Sequence, residues 1–561
     1  MKKLLSIILA LVLLLSIVPM GVMTASAETV LGGEIGKCGW SFVDGLLTIS
    51  GEGEIPDEID HQIKEIENIW EKVTKVVIKD GITNIPAYMF YGFVNLTDVS
   101  IPNSVTYIGP DAFTACKSLT SVTIPTGVTK IYDEAFSGCE SLANITIPDS
   151  VIEIGKNAFR DTAIYNDETK RENGVLYIDN HLIAGNKKLS GNFKVKDGTI
   201  TISSIVFIHC KKLESVQLPE SVVYIGDRAF YNCQNLVNVN LPKKLKYIGS
   251  EAFYDCAKLT DITIPDSVES IGSEAFYGCK KLTSINIPKN VEYIGEQISE
   301  KSGIKSFSVS PKNKNYSSKG GVLFDKDQTS LKEFPNAKGG QYTIPSSVIF
   351  LSPSAFKKCK LTSITIPGSV KEICDNSFIS SKKLETVIIE EGIEDINSNV
   401  FENCSRLKSI TLPKSLKSLG LYTFENCKKL SKVTYNGTKA DREKIDYLED
   451  EECYNKNLFD AEWTYLGKIE QKPTTSKKEP ITQEKEPVSQ KEEQPSKDTI
   501  PDNTDDTMSA TEEFFTDANE ETNTPKKPQN KWLIWIIVGT IALILSGGVI
   551  GLNLYLEKRK K

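Results

Sequence analysis

The sequence that decides the fold is LVNVNLPKKLKYIGSEAFYDCAK at residues 236–258, followed without a gap by LTDITIPDSVESIGSEAFYGCKK at residues 259–281. A third copy, LTSVTIPTGVTKIYDEAFSGCES, occupies residues 119–141, so the period is 23 residues. A fixed period of this length indicates stacked supersecondary units, each too small to bury its own apolar face. The repeated phenylalanine falls at Phe90, Phe113, Phe136, Phe159, Phe207, Phe230, Phe253, Phe276, Phe356, Phe378, Phe401 and Phe424.

Each unit combines two apolar segments with one turn. In residues 122–125, VTIP, apolar side chains alternate as in a strand, and the proline ends the pairing because it has no N–H to donate. Stacking of such strands predicts one long parallel sheet. Val128 and Ile131 predict a short extended segment on the opposite side, and the Ala-Phe turn is expected to insert Phe136 into the core.

A glycine follows an isoleucine at one fixed place in six repeats. Its position between the second extended segment and the Ala-Phe turn predicts a bend with a left-handed backbone, which glycine adopts at the lowest cost. These residues are Gly109, Gly155, Gly226, Gly249, Gly272 and Gly295. Residues 172–198 and 302–342 depart from the period, and we interpret each as a hairpin-like expansion of one repeat. Such an expansion either adjusts the curvature of the stack or forms a binding loop.

The two ends of the chain predict export and membrane anchoring. Residues 1–27 contain two lysines, an uncharged run and Ala-Ser-Ala, as in a cleavable secretory signal peptide. Residues 532–555 carry no charge and would extend about 36 Å as a helix, enough to cross a hydrocarbon core of about 30 Å. The basic tail at residues 556–561, which includes Lys558, Arg559, Lys560 and Lys561, would stay in the cytoplasm and leave the chain before the membrane segment outside.

Residues 467–531 are rich in Pro, Glu, Lys, Thr and Gln and predict a disordered acidic stalk. Ten lysines and fifteen acidic residues in this segment account for a net −5 of the chain's net charge of −8. The remaining chain is therefore near neutral, and we expect no nucleic-acid binding.

The consensus L-x-x-I-x-I-P-x-x-V-x-x-I-G-x-x-A-F-x-x-C-x-x resembles the repeat of the BspA-like leucine-rich-repeat surface proteins. The likeness covers most of residues 28–466. Residues 38–53 resemble that family's N-terminal cap, and residues 433–438 with 461–465 resemble its closing unit. The resemblance implies a mainly β repeat solenoid with a parallel sheet and short turns or 3-10 segments. We place the caps at residues 28–80 and 433–466, with the leucine-rich-repeat solenoid at residues 81–432.

Most of the 12 cysteines lie in one column of the repeat, where a thiol usually acts as a small buried apolar group. Side chains of a column point the same way, so we expect free thiols. Neighbouring strands are nevertheless close enough for disulfides, which remain the alternative. The column contains Cys116, Cys139, Cys210, Cys233, Cys256, Cys279, Cys359, Cys404 and Cys427.

The sequence predicts neither a metal site nor a cofactor nor an enzyme. Its only histidines, His61, His181 and His209, are far apart in the chain, and no C-x-x-C occurs. No phosphate-binding glycine loop or G-x-S-x-G nucleophile motif is present either.

Two columns of the repeat form the candidate ligand-binding surface. Outward positions of the strands carry hydroxyl, amide and carboxylate groups, which hydrogen-bond glycans or extended peptides but also suit a solvated strand face. They include Ser215, Gln217, Asn238, Asn240, Asp261, Thr263, Ser284 and Asn286. The positions before the strand carry lysines expected to form a basic ridge, among them Lys211, Lys212, Lys258, Lys280 and Lys281.

Acidic residues recur before the Ala-Phe turn instead, at Asp111, Glu134, Glu251 and Glu274, so the two signs of charge should be segregated. A basic ridge attracts anionic glycans or acidic proteins; charge placed only for solubility is the alternative.

The resemblance implies an adhesin-type binding module for extracellular proteins or glycans. We expect it to be held at the surface of a bacterial cell by its single membrane helix. The alternative function is a structural spacer of the cell envelope without a specific ligand.

Overall fold

The computed structural model describes residues 31–57, 69–447 and 455–467. The predicted signal peptide at residues 1–27, the stalk beyond Gly467, the membrane helix at residues 532–555 and the basic tail lie outside these ranges. Within them, the structure contains no helix of sufficient length and apolar character to cross a membrane.

The described residues form a β-solenoid in which nearly every repeat contributes one strand to a main ladder. The strands of this ladder, numbered in chain order with those of the second ladder, are β1 (Leu31–Ile35), β2 (Cys38–Val43), β3 (Leu46–Gly51), β4 (Lys75–Ile78), β6 (Asp98–Ser100), β8 (Ser121–Thr123), β10 (Asn144–Thr146), β15 (Ser190–Lys194), β17 (Lys212–Gln217), β19 (Asn238–Asn240), β22 (Ser284–Ile287), β24 (Ser306–Val309), β28 (Gly339–Thr343), β30 (Lys360–Ile366), β32 (Thr386–Ile389), β34 (Ser409–Leu412), β36 (Lys432–Tyr435) and β38 (Glu462–Tyr465).

A second ladder is built mainly from strands of two residues. Its members are β5 (Asn84–Ile85), β7 (Tyr107–Ile108), β9 (Lys130–Ile131), β11 (Glu153–Ile154), β12 (Arg171–Glu172), β13 (Val175–Ile178), β14 (His181–Gly185), β16 (Thr201–Ile202), β18 (Tyr224–Ile225), β20 (Tyr247–Ile248), β21 (Ser270–Ile271), β23 (Tyr293–Ile294), β25 (Tyr316–Lys319), β26 (Val322–Asp325), β27 (Ser330–Glu333), β29 (Phe350–Leu351), β31 (Glu372–Ile373), β33 (Asp395–Ile396), β35 (Ser418–Leu419) and β37 (Asp446–Tyr447). Within residues 31–57, 69–447 and 455–467, helical structure is limited to the short helices α1 (Ala163–Asn166), α2 (Lys439–Arg442) and α3 (Lys456–Phe459) and to 3-10 turns at Trp70–Lys72 and Glu168–Lys170.

Neighbouring strands of the repeats pair in parallel with a shift of one repeat, as predicted; Ser121 lies opposite Asn144, for example. The prediction of one long sheet was wrong, because the main ladder is divided into five sheets. Strands of three residues pair through few hydrogen bonds, so a slight divergence of two repeats interrupts the ladder. Between β19 and β22 the Thr260 N–H lies 3.5 Å from the carbonyl oxygen of Val237, and residues 261–264 form no strand.

The core is a column of stacked phenylalanine rings with aliphatic side chains around it. Phe253 is fully buried, and its ring centroid lies 5.1 Å from that of Phe230 and 5.7 Å from that of Phe276. No ring contact of this kind joins Phe159 to Phe207 in the described structure, and the core divides near the same place. The repeat therefore builds its core by stacking like on like, and the departures from the period interrupt it.

The Ala-Phe turns form a third ladder, which the sequence did not reveal. In one repeat the N–H groups of Asp111, Phe113 and Ala115 donate to carbonyl oxygens one repeat further on, at 2.8–2.9 Å. Asp111 and Ala115 have φ values of 54° and 62°, so the left-handed conformations of the repeat occur here. Asp and Asn tolerate this conformation better than other residues with a side chain, which accounts for their frequency at these positions.

The glycine column has a different role from the predicted one. None of the six glycines, all of which the structure describes, has a positive φ. A Cβ atom on Gly249 would instead lie 2.5 Å from the backbone nitrogen of Asp227, and one on Gly272 would lie 2.3 Å from that of Ser250. Glycine is required because two backbones approach too closely for any side chain, not because the chain turns left-handed.

The cysteine column supplies hydrogen bonds to the core. The eleven described cysteines are free thiols. The Sγ atoms of Cys233 and Cys256 donate to the carbonyl oxygens of Phe207 and Phe230 at 3.0 and 3.2 Å, and burial raises the pKa of both thiols so that they keep their protons. Ser381 replaces cysteine in one repeat and donates to the Phe356 carbonyl in the same way. The column therefore satisfies carbonyl groups that would otherwise be buried without a partner.

Both departures from the period contain the predicted hairpins. In the first, β13 pairs antiparallel with β12 and with β14, and β14 then rejoins the parallel ladder through β16. In the second, β26 pairs antiparallel with β25 and with β27, and β27 rejoins the ladder through β29. These two places are called the first break and the second break below.

Candidate ligand-binding surface

The eight predicted polar residues all lie on the outward side of the main strands. Ser215 lies opposite Asn238 and Gln217 opposite Asn240 in the β17–β19 pair. The residues between them in sequence, such as Val216 and Val239, are buried. Ser284 and Asn286 are exposed on β22, whereas Asp261 and Thr263 are exposed on an extended segment outside any strand. Strand alternation thus brings all eight to one face.

Three of these eight side chains are already engaged. Both amide atoms of Asn240 bond the backbone of Leu218, with the Oδ1 atom accepting at 2.9 Å and the Nδ2 atom donating at 3.0 Å. Ser215 donates to Asn192 at 2.7 Å, and Asn286 accepts from Ser308 at 3.0 Å. The others form no side-chain hydrogen bond within the described ranges; they are Gln217, Asn238, Asp261, Thr263 and Ser284.

The lysines beside this face are exposed and form no ion pair with any described residue. We call them the lysine patch: Lys211, Lys212, Lys258, Lys280 and Lys281. They lack ion pairs because the neighbouring repeats carry no carboxylate in the same column. The same column earlier in the chain carries Lys117, whose Nζ atom contacts Glu140 of the next repeat at 2.7 Å. In the patch the corresponding neighbours are Gln234, Asn235 and Ala257, which offer no carboxylate.

Several lysines in other columns of the solenoid form ion pairs with a neighbouring repeat. Lys246 contacts Glu269 at 2.9 Å and Lys417 contacts Glu394 at 2.6 Å, each across a spacing of 23 residues. Lys75, Lys130 and Lys408 form similar pairs. A lysine with a carboxylate one repeat away is partly neutralised, so the patch is the more effective attractor of an anion.

The predicted acidic column belongs to the Ala-Phe ladder, a different ladder from the polar strand face. Glu134, Glu251 and Glu274 occupy the left-handed position before Ala-Phe, with φ values of 54–56°. The segregation of charge is incomplete, because Arg228 stands in the same column and contacts Glu251 at 2.6 Å.

A stack of tyrosine rings lies next to this column and was not predicted from the sequence. The ring centroids of Tyr231 and Tyr254 lie 4.6 Å apart and those of Tyr254 and Tyr277 4.2 Å apart. His209 packs edge-on against Tyr231, and the Lys301 Nζ atom lies 5.2 Å from the Tyr277 ring centroid. The recurrence of Ala-Phe-Tyr at a spacing of 23 residues was the sequence signal that would have found it.

The other two histidines of the chain are His181 and His61. His181 is buried, with its Nε2 atom 3.3 Å from the Pro148 carbonyl oxygen, and burial lowers its pKa. His61 lies outside the described ranges. Among residues 31–57, 69–447 and 455–467, no three His, Cys, Asp or Glu side chains converge as metal ligands would.

A buried carboxylate, also missed from the sequence, closes the Ala-Phe ladder at the second break. The carboxylate of Glu333 accepts hydrogen bonds from the N–H groups of Ser299 and Ile298 at 2.7 and 3.0 Å and from the Ser299 hydroxyl. Burial outweighs these donors and raises the pKa of Glu333 to about 7. The adjacent Glu300 contacts Lys357 and Lys358 at 3.2 and 2.7 Å.

Glu333 gives the fold a pH dependence whose sign is fixed. Its pKa rises on folding from an ordinary value of 4.5, so between about pH 4.5 and pH 7 the folded chain binds more protons than the unfolded chain. The stability from this group is complete below that interval and is lost as the pH rises through about 7. We therefore expect the melting temperature of the wild type to fall more steeply between pH 5 and pH 8 than that of Glu333→Gln, as measured by circular dichroism. Identical slopes in the two proteins would contradict it.

Comparison with known proteins supplies a family. A family model described as BspA type leucine-rich repeat region (6 copies) matches residues 66–190, 200–320 and 329–445, together more than half of the chain. No curated protein matches.

Three solved structures show similarity to this chain. A leucine-rich repeat protein from Eubacterium ventriosum is 22% identical, with 74% of this chain and 84% of the other covered and a TM-score of 0.34. A leucine-rich cell surface protein from Faecalibacterium prausnitzii is 21% identical, with coverages of 74% and 97% and a TM-score of 0.32. A leucine-rich repeat protein from Bacteroides ovatus is 22% identical, with coverages of 77% and 99% and a TM-score of 0.30.

Proposed function

The chain belongs to the BspA-type leucine-rich-repeat family, and we propose that it is a cell-surface binding module, not an enzyme, whose ligand is an anionic glycan or an acidic protein. Proteins of this family are typically found on bacterial cell surfaces. We further propose that the segment at residues 532–555 anchors the chain in the membrane, with the solenoid outside.

The lysine patch is the observation that carries the proposal. Five exposed lysines without an ion-pair partner in the described structure lie beside a face with unengaged amide and hydroxyl groups. An extended anion would contact the lysines through its charges and the strand face through its hydroxyl or peptide groups. Gln217 lies on the strand that begins at Lys212, and Asn238 lies opposite Ser215 of that strand.

The test is retention on heparin, an anionic glycan, as a function of salt. Replacing all five patch lysines with glutamine should weaken binding about tenfold or more, because charge complementarity controls such association. The matched control replaces Lys75, Lys130, Lys246, Lys408 and Lys417 with glutamine. It removes the same charge from lysines that already have partners, and retention close to that of the wild type is expected.

Two outcomes would count against the proposal. Equal losses in the patch and control variants would mean that net charge alone governs retention. The alternative role, an envelope spacer, would be favoured if the wild type showed no saturable binding to heparin, to other anionic glycans or to acidic extracellular proteins.

A further inference from the structure

The first break leaves the Ala-Phe ladder without acceptors. In an ordinary repeat, Phe113 donates its N–H to the Ala135 carbonyl and Asp111 donates to the Asp133 carbonyl. The equivalent donors at the first break are the N–H groups of Phe159 and Asn157, and neither finds an acceptor among the described residues. Both donors belong to residues that line a cavity of about 320 Å³.

The other interruptions of this ladder show what such donors bind. At the second break the equivalent of Phe159 is Ser299, and the Glu333 carboxylate accepts its N–H at 2.7 Å. At the C-terminal end the equivalent is Phe424, and the Asn455 side-chain oxygen accepts its N–H at 3.0 Å. The chain therefore provides a side-chain oxygen at two ends of the ladder and a cavity at the third. Because buried N–H groups are rarely left without a partner, the cavity is where an acceptor from outside the chain would fit.

The residues that line the cavity indicate the chemistry of the rest of the ligand. Most of the residues that line it are apolar, among them Ile154, Ala158, Ile183, Ala184 and Val206. The lining also contains two cations, Arg160 and Lys187. Lys187 is exposed and has no ion-pair partner in the described ranges, while Arg160 contacts only the exposed Asp161 at 3.3 Å. A volume of this size is at the lower end of the range of small-molecule sites, and an apolar pocket with a few convergent polar groups is their usual character.

We propose that the cavity at the first break binds a small carboxylate carried on a short apolar body, with the carboxylate oxygens accepting from the Phe159 and Asn157 N–H groups. Lys187 and Arg160 balance the charge, and the apolar body occupies the space between Ile154, Ile183 and Val206. The carboxylate takes the position relative to the ladder that Glu333 takes at the second break. The ligand is either a short fatty acid or the C-terminal residue of a peptide, which share this chemistry.

Calorimetric titration of the purified full-length chain tests this assignment. Hexanoate represents the fatty acid and N-acetylleucine the peptide terminus, while hexanamide has the same body without the charge. We expect saturable binding of at least one acid, the tighter of the two identifying the source, and at least tenfold weaker binding of hexanamide. The Arg160→Gln/Lys187→Gln variant should lose about tenfold in affinity for the acid, the order expected for two exposed charges. In the matched control, Lys156→Gln/Lys188→Gln, the exposed neighbours lie outside the cavity lining, and wild-type affinity is expected.

A second variant, Ala184→Leu, fills the cavity and should abolish binding while a melting curve confirms that the chain is folded. If it does not fold, the charge variants decide. The assignment would be overturned if neither acid saturated the protein, if hexanamide bound as tightly as hexanoate, or if the cavity and control charge variants had equal affinities. The lysine-patch variant should bind the acid normally, which separates this site from the heparin-binding surface.

Discussion

Replacing Phe253 with alanine is expected to lower the free energy of unfolding by about 3–5 kcal/mol. The ring is fully buried and stacked between Phe230 and Phe276, with interplanar angles of 3° on both sides. Truncation would remove both ring contacts and leave a cavity in the middle of a continuous column. Each repeat touches only its neighbours, so the loss cannot be compensated by rearrangement elsewhere.

Equilibrium unfolding in urea, followed by circular dichroism, measures this loss. Val237→Ala is the matched control, because this apolar side chain lies in the same repeat as Phe253 but is 42% exposed. It should change the free energy by no more than about 0.5 kcal/mol, as surface substitutions usually do. A Phe253→Ala protein that unfolded at the wild-type urea concentration would refute the role given to the ring stack.

Replacing Gly272 with alanine is expected to cost about 2–3 kcal/mol or more, although alanine is the smallest side chain that can be added. Its Cβ atom would lie 2.3 Å from the Ser250 nitrogen and 2.6 Å from the Gly249 carbonyl carbon, and both contacts are with backbone. Backbone cannot rotate away as a side chain can, so the two repeats must separate. Overpacking in a close-packed interior has costs of this order.

Gly39→Ala provides the control for this effect. A Cβ atom at Gly39 would meet its nearest neighbour, the Gly33 carbonyl oxygen, at 3.6 Å, an ordinary contact, and Gly39 has no positive φ. We expect Gly272→Ala to lower the melting temperature by several degrees more than Gly39→Ala does. If the two substitutions had equal effects, close approach of the repeats would not be the reason for the glycine column.

The predictable part of the fold came from the period. A repeat of 23 residues with alternating apolar positions fixes which side chains point inward, and the structure places Phe253, Val239 and Cys256 in the core accordingly. The hairpins of the two breaks were also predictable, since glycine-rich apolar runs interrupt the repeat there. These features depend on local spacing, which a single sequence displays directly.

The predictions from sequence that were wrong concern contacts between neighbouring repeats. From its neighbours in sequence, Gly249 was predicted to be a turn residue. In the structure, glycine is required there because the backbone of Asp227 in the previous repeat approaches too closely for a side chain. The division of the main ladder into separate sheets likewise depends on small divergences between repeats, as at Thr260 and Val237, which no residue pattern encodes.

For the candidate binding face, too, some features followed from the sequence and others appeared only in the structure. Alternation placed Gln217 and Asn238 outward, and the positions of the five patch lysines followed from the column. That Asn240 is occupied by the Leu218 backbone, and is therefore less available to a ligand, appeared only in the structure.

By itself, the sequence determined the repeat, its inward and outward faces and the family to which the chain belongs. Only the tertiary structure decided how the ends of the Ala-Phe ladder are satisfied, because the partners are far apart in the chain. Glu333 reaches Ser299 across 34 residues and Asn455 reaches Phe424 across 31, while at Phe159 no described side chain arrives and a cavity remains. The path of each inserted segment sets which residue meets the ladder, and that path is a property of the packed chain.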